Sequence, residues 1–417
     1  MQLSSSPRRL IAAAGLVAAT ALALTACASG GSGDDSGAAQ KPAASVAPVK
    51  SGASQVKITL TGGSGDSCDV DHTSAKAGPV TFTIANTSST AITEVELLQG
   101  QRIVGEKENL APGLEPVKLT LTLGGGSYTV YCPGADTEQQ KFTVTGKAAA
   151  QPTGSVQTVL ADGTEGYGKY VAGVLADMVT AVGTLNSAVQ AGDVAEAKKD
   201  YALARPFYEK VESDVDGFLL PGADATSNKG NLDYLIDMRA SNLDPAVGWS
   251  GFHAVERDLW QNGAITAQTK KYASDLDANV RTLAKLASGL SYKPEDLANG
   301  AAGLLEEVQT NKISGEEESY SHIDLVDFAA NVEGAEQAFA YLEPGMKQID
   351  PDLTKTVQTQ FANVTSMLDA YRDPSVPGGY KDYTPQLKQT DASKLSHAIQ
   401  ALQEPLSKIA EKVATAA

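Results

Sequence analysis

The run Tyr167-Gly168-Lys169-Tyr170-Val171-Ala172-Gly173-Val174-Leu175-Ala176-Asp177-Met178-Val179-Thr180-Ala181-Val182-Gly183-Thr184-Leu185 decides how the larger part of the chain folds. Its large apolar residues, at 167, 170, 171, 174, 175, 178, 179, 182 and 185, recur at intervals of three and four and so share one stripe of a helix. Gly192 closes this helix, and Asp193-Val194-Ala195-Glu196 reads as the capping box of the next. Comparable periodicity covers about 194–218, 250–260, 265–290, 298–312, 322–347, 351–371 and 391–415. Helix following helix without strands predicts an all-α bundle over residues 164–417. Pro206, inside the second of these helices, predicts a kink or a break.

Upstream the period changes from three and four to two. Val56-Lys57-Ile58-Thr59-Leu60, Val80-Thr81-Phe82-Thr83-Ile84, Glu94-Val95-Glu96-Leu97-Leu98, Val117-Lys118-Leu119-Thr120-Leu121 and Tyr128-Thr129-Val130-Tyr131 alternate apolar with polar, as half-buried strands do. Turn signals such as Gly62-Gly63, Ala77-Gly78-Pro79, Ala111-Pro112-Gly113 and Gly124-Gly125-Gly126 separate them. Short strands at this spacing predict a small β-sandwich over residues 55–146, joined to the bundle by a linker at 147–163. A cysteine in the first loop and a Tyr-x-x-x-Cys at the end of a late strand resemble a cupredoxin.

The metal chemistry of that β region is constrained by its composition. A blue-copper site needs a thiolate, two imidazoles and usually a weak axial Met. Between Gln55 and Lys147 there is one histidine, His72, and no methionine, so that site cannot be assembled. Cys68 and Cys132 have two readings: a disulfide closing a long loop, or a metal site using one or both sulfurs with Asp66 or Asp69. Glu94, Glu96, Glu106 and Glu108 form a second candidate set. Glu94 and Glu96 fall on one face of a strand, and Glu106 and Glu108 do likewise if extended, so they present either hard oxygen ligands or a solvated sheet face.

The N-terminus reads as an address. Arg8 and Arg9 precede the apolar run Leu10 to Leu24, too short to span a bilayer, and Leu24-Thr25-Ala26-Cys27 resembles the lipobox of bacterial lipoproteins. That resemblance implies a signal peptide at 1–26, cleavage before Cys27 and lipid on its sulfur. Residues 27–54, rich in Gly, Ser, Ala and Pro, then form a flexible stalk. No other apolar stretch reads as long enough to span a membrane. The expected location is the outer face of the cytoplasmic membrane, held by the lipid alone.

Composition excludes some partners. The 417 residues carry 50 Asp and Glu against 33 Lys and Arg, a net charge of −17; losing residues 1–26 removes Arg8 and Arg9 and no acid, which leaves −19. Such a balance excludes a phosphate-facing basic surface for nucleic acid, and suits either cation handling or plain solubility. Four histidines and five methionines supply little soft-ligand material.

Two short motifs in the helical region carry chemistry. Glu209 and Glu212 lie three apart, as do His253 and Glu256 in Gly251-Phe252-His253-Ala254-Val255-Glu256, so each pair projects from one face of a helix. Facing one another, they would bring three carboxylates and one imidazole together, a hard donor set for Fe, Mn or Ca. Taken singly, such pairs are also what solvated helices carry.

The string Gly251 to Glu256, with Tyr208-Glu209-x-x-Glu212 and Leu235-Ile236-Asp237-Met238-Arg239 before it, resembles the imelysin-like domain of the EfeO family. The blocks Leu304-Leu305-Glu306-Glu307-Val308, Lys312-Ile313-Ser314-Gly315-Glu316-Glu317 and Tyr320-Ser321-His322-x-Asp324-Leu325-x-Asp327-Phe328 look like the same family, as does Glu106-x-Glu108-Asn109-Leu110-Ala111-Pro112-Gly113 with Cys68 and Cys132. The resemblance runs in order from about Gln55 to the C-terminus. It implies an extracytoplasmic, non-enzymatic component of a ferrous or ferric iron-uptake system, working with an EfeU-like membrane permease and an EfeB-like haem peroxidase. It places the family's His-x-x-Glu on His253 and Glu256, its paired glutamates on Glu209 and Glu212 and its aspartate on Asp237, and implies iron as the metal. In the cupredoxin-like domain it places ligands, for copper or zinc as well as iron, on Cys68, Cys132 and glutamates 94 to 108. Pro221 to Gly230, ahead of Asp237, is longer and more polar than the family pattern.

Two other classes compete. Imelysin-like domains are grouped with metallopeptidases, but a zincin needs His-Glu-x-x-His, and Arg257 stands where the second histidine would be. A polysaccharide-binding protein would stack sugars on Trp249 and Trp260, at the two ends of the His253 helix.

Overall fold

A computed structural model describes residues 46–100, 102–147 and 154–416. The signal segment 1–26, Cys27 and most of the expected stalk lie outside the described residues. Residues 44–417 form one compact unit, a β-sheet region followed by a helical region.

The strands are β1 (Val49–Lys50), β2 (Ala53–Thr61), β3 (Ser67–Val70), β4 (Ser74–Lys76), β5 (Gly78–Asn86), β6 (Val95–Gln99), β7 (Arg102–Lys107), β8 (Val117–Leu123), β9 (Gly126–Tyr131) and β10 (Gln139–Thr145). One sheet runs β1-β2-β5-β8 with β3 on β2; the other runs β4-β10-β9-β6-β7. The strand alternation read from sequence puts Val56, Ile58, Leu60, Phe82, Ile84, Leu119 and Leu121 of the first sheet in one apolar cluster with Leu97, Val130, Phe142 and Val144 of the second. Cys68 on β3 and Cys132, just past β9, are joined in a disulfide, so a covalent bond links the two sheets. The expected stalk ends sooner than residue 54: Val46 bridges Ser74, and Val49 and Lys50 pair with Ser54 and Ala53.

The helices are α1 (Ser155–Ala191), α2 (Val194–Glu209), α3 (Glu212–Val215), α4 (Leu232–Asp237), α5 (Gly251–Trp260), α6 (Ala267–Ala287), α7 (Pro294–Glu307), α8 (Asp324–Ile349), α9 (Pro351–Asp369), α10 (Pro385–Leu406) and α11 (Ile409–Thr415). A π-helical turn, Val308–Lys312, prolongs α7. The expected linker is shorter than 147–163, since α1 starts at Ser155. By length and composition α1 could cross a membrane, contrary to the expectation from sequence; its stripe Leu160, Tyr167, Val171, Leu175, Met178, Val182 and Leu185 is instead the centre of the helical core. Asp193 caps α2 by accepting from the N–H groups of Ala195 and Glu196. Pro206 does not break α2, which ends at Glu209; the expected helix 194–218 is completed by the separate turn α3. The expected helix 391–415 is two helices, α10 and α11, parted at Ser407 and Lys408 just after Pro405.

The two regions meet along β7 and β8. Lys107 Nζ lies 2.8 Å from Glu306 Oε2, Asn299 Nδ2 donates to Thr120 O at 2.7 Å, and the N–H of Thr122 donates to Glu295 at 3.1 Å. Gly217, at φ 70°, sits where a Cβ would come within 2.6 Å of Ile103 Cβ, so a glycine sets the closeness of this contact.

Candidate metal centre

The site begins with a close approach between α4 and α5. Gly251, the first residue of α5, has φ 68°, and a Cβ on it would lie 2.0 Å from Ile236 O. Only glycine fits, and the fit brings His253 on α5 against Asp237 at the end of α4. The loop Pro221 to Gly230 does not disturb this: the N–H of Leu220 donates to Gly230 O at 2.8 Å and Leu219 bridges Asn231, so the loop closes on itself and α4 starts in place.

His253 is 1% exposed and fully engaged. Its Nδ1 lies 3.0 Å from Glu256 Oε2, and its Nε2 lies 3.3 Å from Glu317 Oε1 and 3.6 Å from Asp237 Oδ1. Two triads that share this imidazole, Asp237 with Glu317 and Glu256 with Glu318, each bring their ligand atoms within 4.8 Å of one another. Burial would empty the imidazole of its proton, but Glu256 and Glu317 hold its pKa well above the ordinary histidine range.

Arg205, one helical turn before Glu209 on α2, is fully buried at the centre of these acids. It pairs with Glu209 and Asp237, with Glu318 at 3.0 Å and Glu317 at 3.1 Å, and reaches Asp327 at 3.6 Å. Lys312, also buried, lies 3.2 Å from Glu209, 3.3 Å from Glu317, 3.6 Å from Glu212 and 3.7 Å from Glu307. Arg239 closes the ring, 3.0 Å from Glu307 and 3.2 Å from Glu317.

Eight carboxyl groups (Glu209, Glu212, Asp237, Glu256, Glu307, Glu317, Glu318 and Asp327) therefore share three permanent cations and one imidazole. An excess of buried negative charge must be met by protons or by another cation. Burial pushes Asp237 up to about 7 despite Arg205 and His253, and pushes Glu318, beside Glu256, up to about 8. Glu317 goes the other way: burial would raise it, but Lys312 and Arg239 hold it well below the usual range. Glu209 Oε2, Glu212 Oε2 and Asp237 Oδ2 are buried without a hydrogen bond.

Three acids of the β region, Glu94, Glu106 and Glu108, share a cavity with Glu212, Asp237 and Glu307 of this cluster. Glu96 on β6 is opposite Glu106 on β7, and with Glu94 they place one oxygen each within 4.8 Å. Burial and the charges of Glu94 and Glu106 push Glu96 up to about 10. Glu108 lies past the end of β7, in the wall of a cavity of about 560 Å³ between the two regions, which Glu94, Glu106, Glu212, Asp233, Asp237 and Glu307 also line. Cys68 and Cys132 leave the ligands expected in the β region, because each sulfur is bonded to the other. With those thiolates gone, no methionine in the region and His72 set against Asp71 at 2.9 Å, the donors present fit neither copper nor a thiolate-bound zinc.

The structure thus gathers Glu209, Asp237, His253 and Glu256 around one buried cluster, with Glu212 at its cavity side. Reading by spacing missed Arg205, Arg239, Lys312, Glu307, Glu317, Glu318 and Asp327 as site residues. The available signal was the charged block Lys312 to Glu318 inside an otherwise apolar helical pattern.

The imelysin (peptidase M75) family profile matches residues 163–409, which contain every helical residue of this cluster. The chain belongs to the imelysin family. Beyond the imelysin domain it is similar to the iron uptake system component EfeO of Escherichia coli K12 and to that of Shigella flexneri, at 34% identity over 359 residues, 85% of this chain and 90% of each relative. Both relatives are named as components of an iron uptake system. In this imelysin domain the ligands of a zincin are missing: Arg257, at the position of a second histidine, stacks on Trp249 at 4.2 Å. Both tryptophan rings are already packed: Trp249 carries Arg257, and Trp260 packs on Tyr201 at 5.3 Å with Lys198 over its ring.

Proposed function

We propose that this protein is the extracytoplasmic iron-binding component of an EfeU- and EfeB-type uptake system. It captures ferrous or ferric iron as cargo and passes it to an EfeU-like permease beside an EfeB-like haem peroxidase. The observation that carries the reading is the buried excess of carboxyl groups around His253, with five of their oxygens (Oε2 of Glu209 and Glu212, Oδ2 of Asp237 and both of Asp327) left without hydrogen bonds. Such a set of hard oxygen donors with one imidazole suits iron. The relatives' name supplies the cargo. In this reading Glu209, Asp237, His253, Glu256 and Glu317 hold the ion, with Glu212 as a further ligand on the cavity side; the β region is a cupredoxin-like sandwich; and lipid on Cys27 keeps both at the outer face of the cytoplasmic membrane.

Iron titrated into the protein from Cys27 onward, and into a His253→Ala, Glu256→Ala double variant, tests this. Equal stoichiometry and affinity in the two would end the assignment. Incubation with casein under saturating zinc covers the hydrolase alternative, for which activity lost on Glu256→Gln would be the sign.

A further inference from the structure

Lys312 occupies its cage in an unusual way. Its ammonium is 0% exposed and has four carboxylates within 3.2–3.7 Å, yet it completes no hydrogen bond with any of them. A charge-assisted N–H···O bond settles at about 2.7–2.9 Å. The cage therefore matches the lysine in charge and not in geometry, as a coordination shell would around a cation of another kind. Glu212 has no other ion-pair partner among the described residues, and the Oε2 atoms of Glu209 and Glu212 accept no hydrogen bond. Lys312 is also the last residue of the π turn Val308–Lys312, and single π turns inside helices are frequent at functional sites.

We propose that Lys312 is a tethered counter-cation of the metal site, its ammonium filling the cage of Glu209, Glu212, Glu307 and Glu317 until a multivalent cation takes Glu209 and Glu212 from it. The inference rests on the reading of Glu209 and Glu212 as iron ligands. Two consequences follow from charge alone. A monovalent ion gains nothing by replacing an ammonium of equal charge, whereas a divalent or trivalent ion gains at every carboxylate, so the lysine filters by valence. Because it never leaves the protein, it competes at a fixed effective concentration and lowers metal affinity by a constant factor, which makes the captured ion easier to hand on.

The test uses the chain from Cys27 onward, with Fe(II) under nitrogen and Mn(II) as an air-stable probe. Lys312→Met keeps the length and removes the charge, and should bind Mn(II) and Fe(II) about tenfold tighter than wild type, within the usual range of coupling between two ligands. In the unaltered protein, acetic anhydride should label Lys312 several-fold faster with metal bound than without, read by peptide mass spectrometry. That measurement stands even if Lys312→Met does not fold. Glu209→Gln, Glu212→Gln is titrated alongside. If it binds as wild type does, the metal-site reading fails. If it binds weakly while Lys312→Met shows no gain, or labelling of Lys312 is unchanged or slowed by metal, the counter-cation inference alone fails.

Discussion

His253 and Glu256, one turn apart on α5, meet at 3.0 Å between Nδ1 and Oε2, and the other oxygen of Glu256 accepts the backbone N–H groups of Tyr320 at 2.8 Å and Ser321 at 2.7 Å. One carboxylate thus orients the imidazole and pins the segment that leads into α8. In the proposed site the glutamate is a joint between the metal ligands and the fold.

Replacing Glu256 by Gln separates those roles. The amide oxygen can still accept from Tyr320 and Ser321, but the charge beside His253 is gone. Iron affinity should fall about 10- to 100-fold, the usual cost of losing a partner of a ligating histidine, with little change in helicity. Calorimetric titration and far-ultraviolet dichroism on the same sample check both halves; unchanged affinity would remove Glu256 from the site.

The pH response follows from opposite shifts in one cluster. Asp237, raised to about 7, and Glu318, raised to about 8, keep protons that the unfolded chain gives up near pH 4. Their contribution to stability is complete below about pH 4 and is lost as the pH rises through 7 to 8. Glu317, held low by Lys312 and Arg239 against its burial, contributes above about pH 4 and loses that contribution on acidification. Metal-free protein should therefore melt at lower temperature at pH 8.5 than at pH 6. Iron needs Asp237 deprotonated, so its stabilising effect should grow over that interval. A metal-free melting temperature that is flat or rising from pH 6 to 8.5 would contradict the shifts.

The disulfide gives a prediction in which metal and stability part company. Cys68 and Cys132 are 64 positions apart, and closing a loop of that size stabilises by about 4 kcal/mol in the chain-entropy account. The double variant Cys68→Ser, Cys132→Ser should lose melting temperature while binding as much iron as the parent. A missing equivalent of metal in that variant would return the sulfurs to the ligand set.

What could be read beforehand was what lies close along the chain. The stripe of α1, the strands β2, β5 and β8, and the pair His253 and Glu256 are all set by spacings of two to four residues. Arg205 and Lys312 look like any surface cations in the sequence; what makes them internal is contact with Glu317, 112 positions away from Arg205, and of Lys312 with Glu209 across a similar gap. The short strand β4 escaped for the same reason, since it gains its place only by lying parallel to β10, about seventy residues on. The disulfide was one of two open readings until the sheets brought the sulfurs together.

Gly251 tests whether the contact between α4 and α5 sets the metal geometry. In Gly251→Ala the new Cβ meets Ile236 O at 2.0 Å and the residue must hold φ 68°, a region that L side chains adopt at a cost. Backbone strain alone is on the order of 1–3 kcal/mol, and relieving the clash requires α5 to move away from Asp237. Because His253 rides on α5 two residues later, its 3.6 Å separation from Asp237 should widen. The variant should melt lower and bind iron more weakly, and the loss of affinity should persist when excess osmolyte restores its melting temperature. If restored stability also restored affinity, Gly251 would be serving the fold alone, and the position of His253 would be set by Glu256 and Glu317 instead.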